Sequence, residues 1–286
     1  MLFKDARDYQ ILFLSSFLFL GILTRDWTLQ LNLICVLFVS CLLTQAFFSV
    51  LANLSNSQEA ISREYFINLL SIPSWRSAII TSLGLCLLLR GNHATTMAVA
   101  GCLAIASKFL FRTQGKHFFN PANFGIISAL ILTHDAWVSP GQWGADWWYL
   151  LLFIGAGGIV VKRVGRWDTS ATFLGAYLGL EILRNLWVGW SWDVLQHQLM
   201  NGSLLLFAFF MITDPRSIPN ATASRIIWSV SLAILTFILQ HTFYITTAVF
   251  WSLFILSPLT IFLDRFYSFP RFSWQQNTNI AYLKLN

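Results

Sequence analysis

The chain has 286 residues, of which 56% are hydrophobic and only 10% are charged, and its mean hydropathy is +0.64. Soluble domains carry about 25% charged residues, so this composition excludes a soluble enzyme and predicts a membrane protein. The net charge of +6 would suit a nucleic-acid-binding protein, but the basic residues recur between hydrophobic segments instead of forming one patch.

Ten hydrophobic segments follow one another along the chain. A membrane-spanning helix needs about 20 apolar residues, and fewer where the helix is broken. The candidate spans lie at about residues 10–24, 28–53, 77–90, 94–112, 121–134, 147–163, 169–188, 201–213, 225–243 and 246–263. Residues 54–74 carry Glu59, Arg63 and Glu64 among apolar residues, which predicts a helix lying in the membrane interface. We therefore predict an all-α membrane bundle in one domain, with a cytoplasmic tail over residues 264–286.

The basic residues test this segmentation. With ten spans, all of the 18 Lys and Arg residues except Arg25, Arg90 and Arg184 fall on one side of the membrane. Because the cytoplasmic side carries the excess of Lys and Arg, both termini are predicted to be cytoplasmic in a bacterial inner membrane. We expect six of the basic residues to contact anionic headgroups of the lipid bilayer: Lys108, Arg112, Lys116, Lys162, Arg163 and Arg166. The alternative is that an acidic redox partner docks on them. No nucleic-acid partner is predicted.

Two polar breaks, residues 118–125 and 211–219, interrupt the hydrophobic sequence around Pro121 and Pro215. Proline removes a backbone donor and frees carbonyl groups. Within a membrane, protein groups or a water-filled cavity must satisfy them. Paired breaks in a membrane bundle are therefore the best sequence indication of a binding site.

The same breaks close a weak internal repeat. Ser77-Ala78 and Ser170-Ala171 each begin a predicted helix, at nearly the same distance before the proline of the following break. Small residues continue after both pairs and permit close helix packing. Chance similarity among apolar helices is the alternative explanation.

Polar side chains at the breaks are candidate ligands for a cofactor. These candidates, together with the proline of the first break, are Asn120, Pro121, Asn123, Thr213, Asp214 and Arg216. Amide and carboxylate groups could bind the polar edge of an isoalloxazine ring or coordinate a cation. The alternative is structural, because the same groups can satisfy the backbone that proline leaves unpaired. Asp214 can equally cap the following turn.

Glu181 and Arg184 are three positions apart in the seventh predicted helix. Ionisable residues at membrane depth are costly and often mark ion pathways, so both are candidates for an ion route. At this spacing they could instead form a structural ion pair on one helix face. The five histidines are scattered without the spacing of metal ligands, so no metal site is predicted. The sequence also contains no catalytic triad and no nucleotide-binding glycine loop.

Small residues inside the hydrophobic segments predict packing. The four cysteines, Cys35, Cys41, Cys86 and Cys102, are interpreted as buried thiols. The glycine-rich stretch 155–158 lies inside a predicted span, which indicates close contact between helices rather than a nucleotide site.

Several short stretches carry a resemblance to a known family. They are Ser77-Ala78-Ile79-Ile80-Thr81, Lys108, Phe119-Asn120-Pro121-Ala122, Thr213-Asp214-Pro215, Arg225, Pro258, Asp264 and Pro270-Arg271. Over roughly residues 75–272 the chain resembles the ten-helix membrane family that contains the D subunit of Rnf complexes and the B subunit of the sodium-pumping NADH:quinone oxidoreductase. Its compact length is similar to a shorter branch associated with enediyne biosynthesis clusters.

The resemblance implies transmembrane electron transport with redox partner subunits, coupled to ion movement. It also implies a flavin, FMN or riboflavin, which some members attach covalently to a threonine. Residues 169–172 are similar to that threonine motif, but Arg166 occupies the position of its Asp and Ser170 replaces its Gly. Covalent attachment to Thr172 is therefore disfavoured, and Thr172 is expected to cap or pack the start of a helix. A non-covalent flavin or a quinone near the breaks is expected instead.

Two other functions stay open. Broken helices and a duplicated unit also suit a transporter or channel for a small solute or ion without redox chemistry. An accessory membrane protein of a biosynthetic cluster is a third possibility. Because the sequence has no nicotinamide site and no iron–sulfur ligands, the chain is expected to be at most a subunit of a membrane oxidoreductase, not an enzyme acting alone.

Overall fold

A computed structural model describes residues 3, 5–25, 30–56, 72–138 and 147–272. This part of the chain is mostly helical. The α-helices are α1 (Ala6–Arg25), α2 (Leu31–Asn56), α3 (Ile72–Leu88), α4 (Ala94–Leu110), α5 (Pro121–Leu132), α6 (Trp147–Val164), α7 (Trp167–Val188), α8 (Trp192–Leu199), α9 (Gly202–Leu206), α10 (Thr222–His241), α11 (Ala248–Leu256) and α12 (Leu259–Phe266). A π-helical segment (Phe207–Met211) continues α9. Two-residue strands occur at β1 (Leu89–Arg90), β2 (Arg112–Thr113), β3 (Lys116–His117) and β4 (Trp137–Val138).

The helices confirm an all-α membrane architecture. Four of the described helices, α1, α2, α6 and α10, are long and apolar enough to cross a membrane, and the number rises to six if each of two bent helix pairs forms one span. The apolar helices α3, α4 and α5 are shorter. Each of the ten predicted segments overlaps a described helix, while a count of ten spans stays a prediction.

Two helix pairs are bent, and one of the bends lies inside the segment 246–263, which was predicted as one continuous span. Helix α8 meets the helix formed by α9 and the π-helical segment at 48°, and α11 meets α12 at the same angle. The hydropathy pattern missed α8 because Asp193, His197 and several amides make it polar. At the second bend, Pro258 immediately precedes α12, where its missing N–H interrupts the helical hydrogen bonds.

The chain divides into two compact units. One comprises residues 10–112 and 121–138, in which α4 packs against α2 and α5. A Cβ atom on Gly125 would lie 2.7 Å from the carbonyl oxygen of Ala100, so glycine permits the close contact of α5 with α4. The other unit contains α6 to α12 together with residues 113–120, and α7 packs chiefly on α10.

Some predicted features lie outside the described residues. Most of the predicted interfacial helix falls on residues 57–71, and much of the predicted tail falls on residues 273–286. The connection before α6 includes residues 139–146, which are likewise not described. Within the described part, α12 continues three residues into the segment that was predicted as tail.

The cysteines differ from the prediction in part. Cys41 and Cys86 are buried, Cys102 is half-buried and Cys35 is exposed. The prediction of a buried thiol is wrong for Cys35, because this residue lies on the outward side of α2, whose apolar surface suits contact with lipid.

Candidate functional site

The π-helical segment leads directly into the second break. A π-helix displaces backbone carbonyl groups from their usual helical partners. Three side chains donate hydrogen bonds to these carbonyl groups: Ser170 to Ala208 (2.6 Å), Asn120 to Met211 (3.0 Å) and Thr213 to Phe209 (2.7 Å). Asn120 and Thr213, both predicted as cofactor ligands, thus satisfy backbone carbonyl groups at the break, while their role as ligands stays a prediction.

Asp214 contacts the backbone of the second break and a histidine that precedes the first break. Its Oδ1 accepts a hydrogen bond from the backbone N–H of Arg216 (3.1 Å), which is the capping interaction considered from the sequence. Its Oδ2 lies 3.4 Å from Nε2 of His117. Burial acts to raise the pKa of Asp214, but the interactions with His117 and Arg216 outweigh it and hold the pKa below its usual range. The side chain of Arg216 is exposed.

Lys116 connects the hairpin before the first break to the last helix. Its Nζ donates to Oδ2 of Asp264 (2.7 Å), to Oδ1 of Asn220 (3.2 Å) and to the carbonyl oxygen of Ile218. Burial lowers the pKa of Lys116, and the neighbouring carboxylates of Asp264 and Asp214 oppose that shift. The prediction that Lys116 contacts lipid headgroups is wrong, because its side chain is only 12% exposed.

Arg225 forms the second ion pair of this region. Its Nε donates to Oδ2 of Asp168 at 2.6 Å, and the two side chains are 5% and 11% exposed. The guanidinium also donates to the carbonyl oxygen of Asn220 and to the hydroxyl of Thr222 (2.9 Å). Burial and the charge of Arg225 lower the pKa of the neighbouring Arg166 to about 10, so Arg166 stays cationic at neutral pH.

We call this arrangement the polar cluster. Its members are Lys116, His117, Arg166, Asp168, Asp214, Asn220, Arg225 and Asp264. Every residue of the cluster belongs to the unit that contains α6 to α12. The sequence had indicated only Asp214 as a ligand, and Arg225 and Asp264 as parts of the family resemblance. Lys116 and Asn220 could have been identified from the sequence by one feature, because each is a polar residue close to a break.

The first break is divided between the two units. Asn120 belongs to the unit of the polar cluster, whereas Pro121 and Asn123 belong to the other unit and are buried there. Pro121 is the first residue of α5, a position where the missing N–H costs no helical hydrogen bond. In that second unit Lys108 is also buried, and it donates to Oε1 of Gln45 at 2.7 Å. The predicted headgroup contact is therefore wrong for Lys108.

Glu181 and Arg184 do not form the predicted ion pair. Oε1 of Glu181 lies 2.6 Å from Nε2 of His241 on α10, and the Glu181 side chain is 1% exposed. The guanidinium of Arg184 instead lies over the ring of Trp190, 4.4 Å from its centroid. No role was assigned to the scattered histidines from the sequence, so the part of His241 in this buried pair was missed.

Thr172 lies in the second turn of α7 and is half-buried. Its position inside a helix agrees with the expectation that it packs near a helix start. In the same stretch, Ser170 contacts the π-helical segment, so this residue has a structural contact of its own.

Comparisons with known proteins support the resemblance. Residues 132–272 match the model of the NQR2, RnfD, RnfE family. The chain is 27% identical over 141 residues to the D subunit of the ion-translocating oxidoreductase complex of Alcanivorax borkumensis, and the match covers 48% of this chain and 40% of that relative. It is 32% identical over 119 residues to the corresponding protein of Vibrio vulnificus, a match that covers 41% of this chain and 33% of the relative.

The chain thus matches less than half the length of these curated relatives. The match includes the second break, Arg225 and Asp264, whereas the first break and the Ser77–Thr81 stretch precede it. The resemblance predicted from the sequence motifs is confirmed, and over residues 132–272 this chain is similar to the NQR2, RnfD, RnfE family.

Proposed function

We propose that this chain is an integral membrane subunit of an ion-translocating electron-transport complex. The observation that carries the proposal is the assembly of the motif residues in space. Thr213, Asp214, Arg225 and Asp264 lie inside the segment that matches the family. Arg225 and Asp264 both form hydrogen bonds with Asn220, and Asp214 contacts His117, the neighbour of Lys116, which binds Asp264. Thr213 donates to the π-helical segment. A shared fold alone would not establish a function, so the proposal depends on this region and its chemistry.

We further propose a non-covalent flavin or a quinone beside the polar cluster. Buried polar atoms without a hydrogen-bond partner occur there: Nε of Arg166, Oγ1 of Thr169 and Oγ of Ser224. These donors flank the Arg225–Asp168 pair in sequence, and each is able to donate a hydrogen bond to a carbonyl group, the kind of acceptor that an isoalloxazine or quinone ring carries. Arg166, Thr169 and Ser224 would hold the ring, while Asn120 and Thr213 maintain the break. When bound, such a group would accept and donate electrons; the protein would supply position and electrostatics.

Spectroscopy tests this proposal. The protein is purified in mild detergent and its absorption spectrum is recorded. It is then precipitated with acid, and the supernatant and the pellet are each examined for flavin fluorescence. Flavin absorption that moves to the supernatant is expected for a non-covalent flavin. A colourless protein that binds neither flavin nor quinone would contradict the proposal and would favour a transporter or an accessory membrane protein. Fluorescence retained in the pellet would return attention to Thr172.

The buried pair of Glu181 and His241 is our proposed ion route. The carboxylate of Glu181 is nearly inaccessible and lies 2.6 Å from the imidazole of His241. At this distance a proton can pass between the two side chains without a large movement of either one, and ionisable residues at membrane depth often mark such routes. Glu181→Gln keeps the side-chain shape and removes the charge. We expect electron-driven ion uptake to fall at least about tenfold in membrane vesicles that contain the variant. Asp193→Asn, an exposed carboxylate change on α8, is the control, and equal uptake by both variants would remove Glu181 from the route.

A further inference from the structure

A cavity of about 570 Å³ lies at the end of α7 and α10 that is remote from the polar cluster. Asp168 and Arg225 mark the first turns of these two helices, whereas the cavity surrounds their last turns and the beginnings of α9 and α11. All of its lining residues belong to one compact unit. The volume falls in the range of about 300–1,000 Å³ that is typical of small-molecule sites.

The charge of this cavity is positive. Among the described residues that line it, Arg184 is the one permanently charged side chain, and none is an aspartate or a glutamate. Glu181, one turn earlier, is buried and directed to His241. The ring of Trp190 holds the guanidinium of Arg184 in place. The cavity therefore presents one positioned cation, and the neighbouring carboxylate of Glu181 is paired with His241 instead of with Arg184.

Aromatic side chains form one part of the cavity wall, and polar side chains such as Gln198, Asn201 and Gln240 form another. Tyr177, Trp190, Tyr244 and Phe250 line it, and the hydroxyl of Tyr177 donates to Oε1 of Gln240 at 2.8 Å. Tyr244 is 82% exposed and has a φ of 56°. A bulky residue rarely adopts a positive φ, and such backbone strain is concentrated at ligand sites. A cationic end combined with an aromatic wall suits a ligand that has one anionic group and an apolar body.

We propose that this cavity binds an amphipathic monocarboxylate. The carboxylate pairs with the guanidinium of Arg184, whose planar donors match the two carboxylate oxygens. The apolar or aromatic body lies against Trp190 and Tyr244. One guanidinium neutralises one carboxylate, whereas a dianionic phosphate would leave a charge unpaired in a half-enclosed site. This binding activity is separate from electron transport, because it requires neither a redox cofactor nor a partner protein.

The test uses 2-naphthoate as a probe and 2-naphthamide as its neutral analogue. Calorimetric titration of the full-length protein in detergent is expected to show saturable binding of naphthoate and at least tenfold weaker binding of naphthamide. Arg184→Gln should weaken naphthoate binding at least tenfold. Arg184→Lys, which keeps the charge but loses the planar pair of donors, should have an intermediate Kd.

Two further variants keep the test decisive. Arg265→Gln removes an equal charge from an exposed position on α12, and it should leave the Kd unchanged. Tyr244→Gly removes the aromatic wall and tolerates the positive φ, so it should weaken binding several-fold even if Arg184→Gln fails to fold. Equal binding of naphthoate and naphthamide, no saturable binding, or an unchanged Kd in both the Arg184→Gln and Tyr244→Gly variants would overturn the proposal.

Discussion

Arg225 uses three sides of its guanidinium group, in contacts with Asp168, Asn220 and Thr222. Lysine keeps the positive charge but cannot donate in three fixed directions. Arg225→Lys is therefore expected to lower the free energy of unfolding by about 1–3 kcal/mol, since buried acceptors lose their donor. The measurement is the midpoint of thermal unfolding in detergent. Arg265→Lys, at an exposed position, is the matched control, and equal midpoints for the two variants would contradict this account.

Individual site residues could be located from sequence more readily than their partners. Asn120 and Asp214 were identified because each stands beside a proline in a hydrophobic sequence. The contact of Glu181 with His241 spans 60 residues, and one sequence contains no information about such a distant pair. Local spacing favoured Arg184 as the partner of Glu181, but the nearby Trp190 binds that guanidinium instead.

At the scale of elements, α6 contacts the π-helical segment through one glycine. A Cβ atom on Gly157 would lie 2.6 Å from the Cβ atom of Phe209, whereas one on Gly158 would meet nothing within 4 Å. We expect Gly157→Ala to destabilise the protein by about 1–3 kcal/mol through overpacking. Gly158→Ala should be neutral or stabilising by up to about 1 kcal/mol, because alanine favours a helix. The measurement is the thermal unfolding temperature of each variant. If Gly157→Ala and Gly158→Ala change this temperature by similar amounts, the prediction is refuted.

The π-helical segment gives a second prediction about an element. Ser170 is almost fully buried, and it donates to the carbonyl oxygen of Ala208. Ser170→Ala leaves that carbonyl without its donor and should cost about 1–3 kcal/mol of stability. The control is Ser231→Ala on α10, because Ser231 donates within its own helix, to Ile227, in an exposed hydrogen bond. If both variants unfold at the same temperature, the contact with Ser170 does not stabilise the segment.

Most helices were predictable from hydropathy, because a segment that crosses the membrane must be apolar and must form its backbone hydrogen bonds internally. The ten predicted segments overlap helices throughout the described chain. The sequence did not predict the 48° bends, because hydropathy averages over a window and carries no information on direction. The π-helical segment was equally hidden, since its residues, Phe207–Met211, are ordinary for an apolar helix.

For the whole molecule, the distribution of basic residues predicts that both termini and the last residues of α12 lie on the cytoplasmic side. Arg265→Cys and Gln196→Cys place single thiols at exposed positions on α12 and α8, in a background without native cysteines. A membrane-impermeant maleimide is expected to label Gln196→Cys in intact cells and Arg265→Cys only after permeabilisation. Reversed labelling would invert the topology, and labelling of both in intact cells would refute the predicted number of crossings between them.

The ion pair of Lys116 and Asp264 sets an order of events during biosynthesis. The two residues are 148 positions apart, so at about 5–20 residues per second the ribosome needs roughly 7–30 s to produce the second after the first. During that interval the lysine has entered the nascent protein before its counter-ion exists. The β2–β3 hairpin, which contains Lys116, can form its ion pair only after α12 has been synthesised. The polar cluster is therefore completed late in synthesis. A nascent chain released before α12 would lack the carboxylate that accepts the hydrogen bond of Lys116, and this buried lysine would keep only the more remote charge of Asp214.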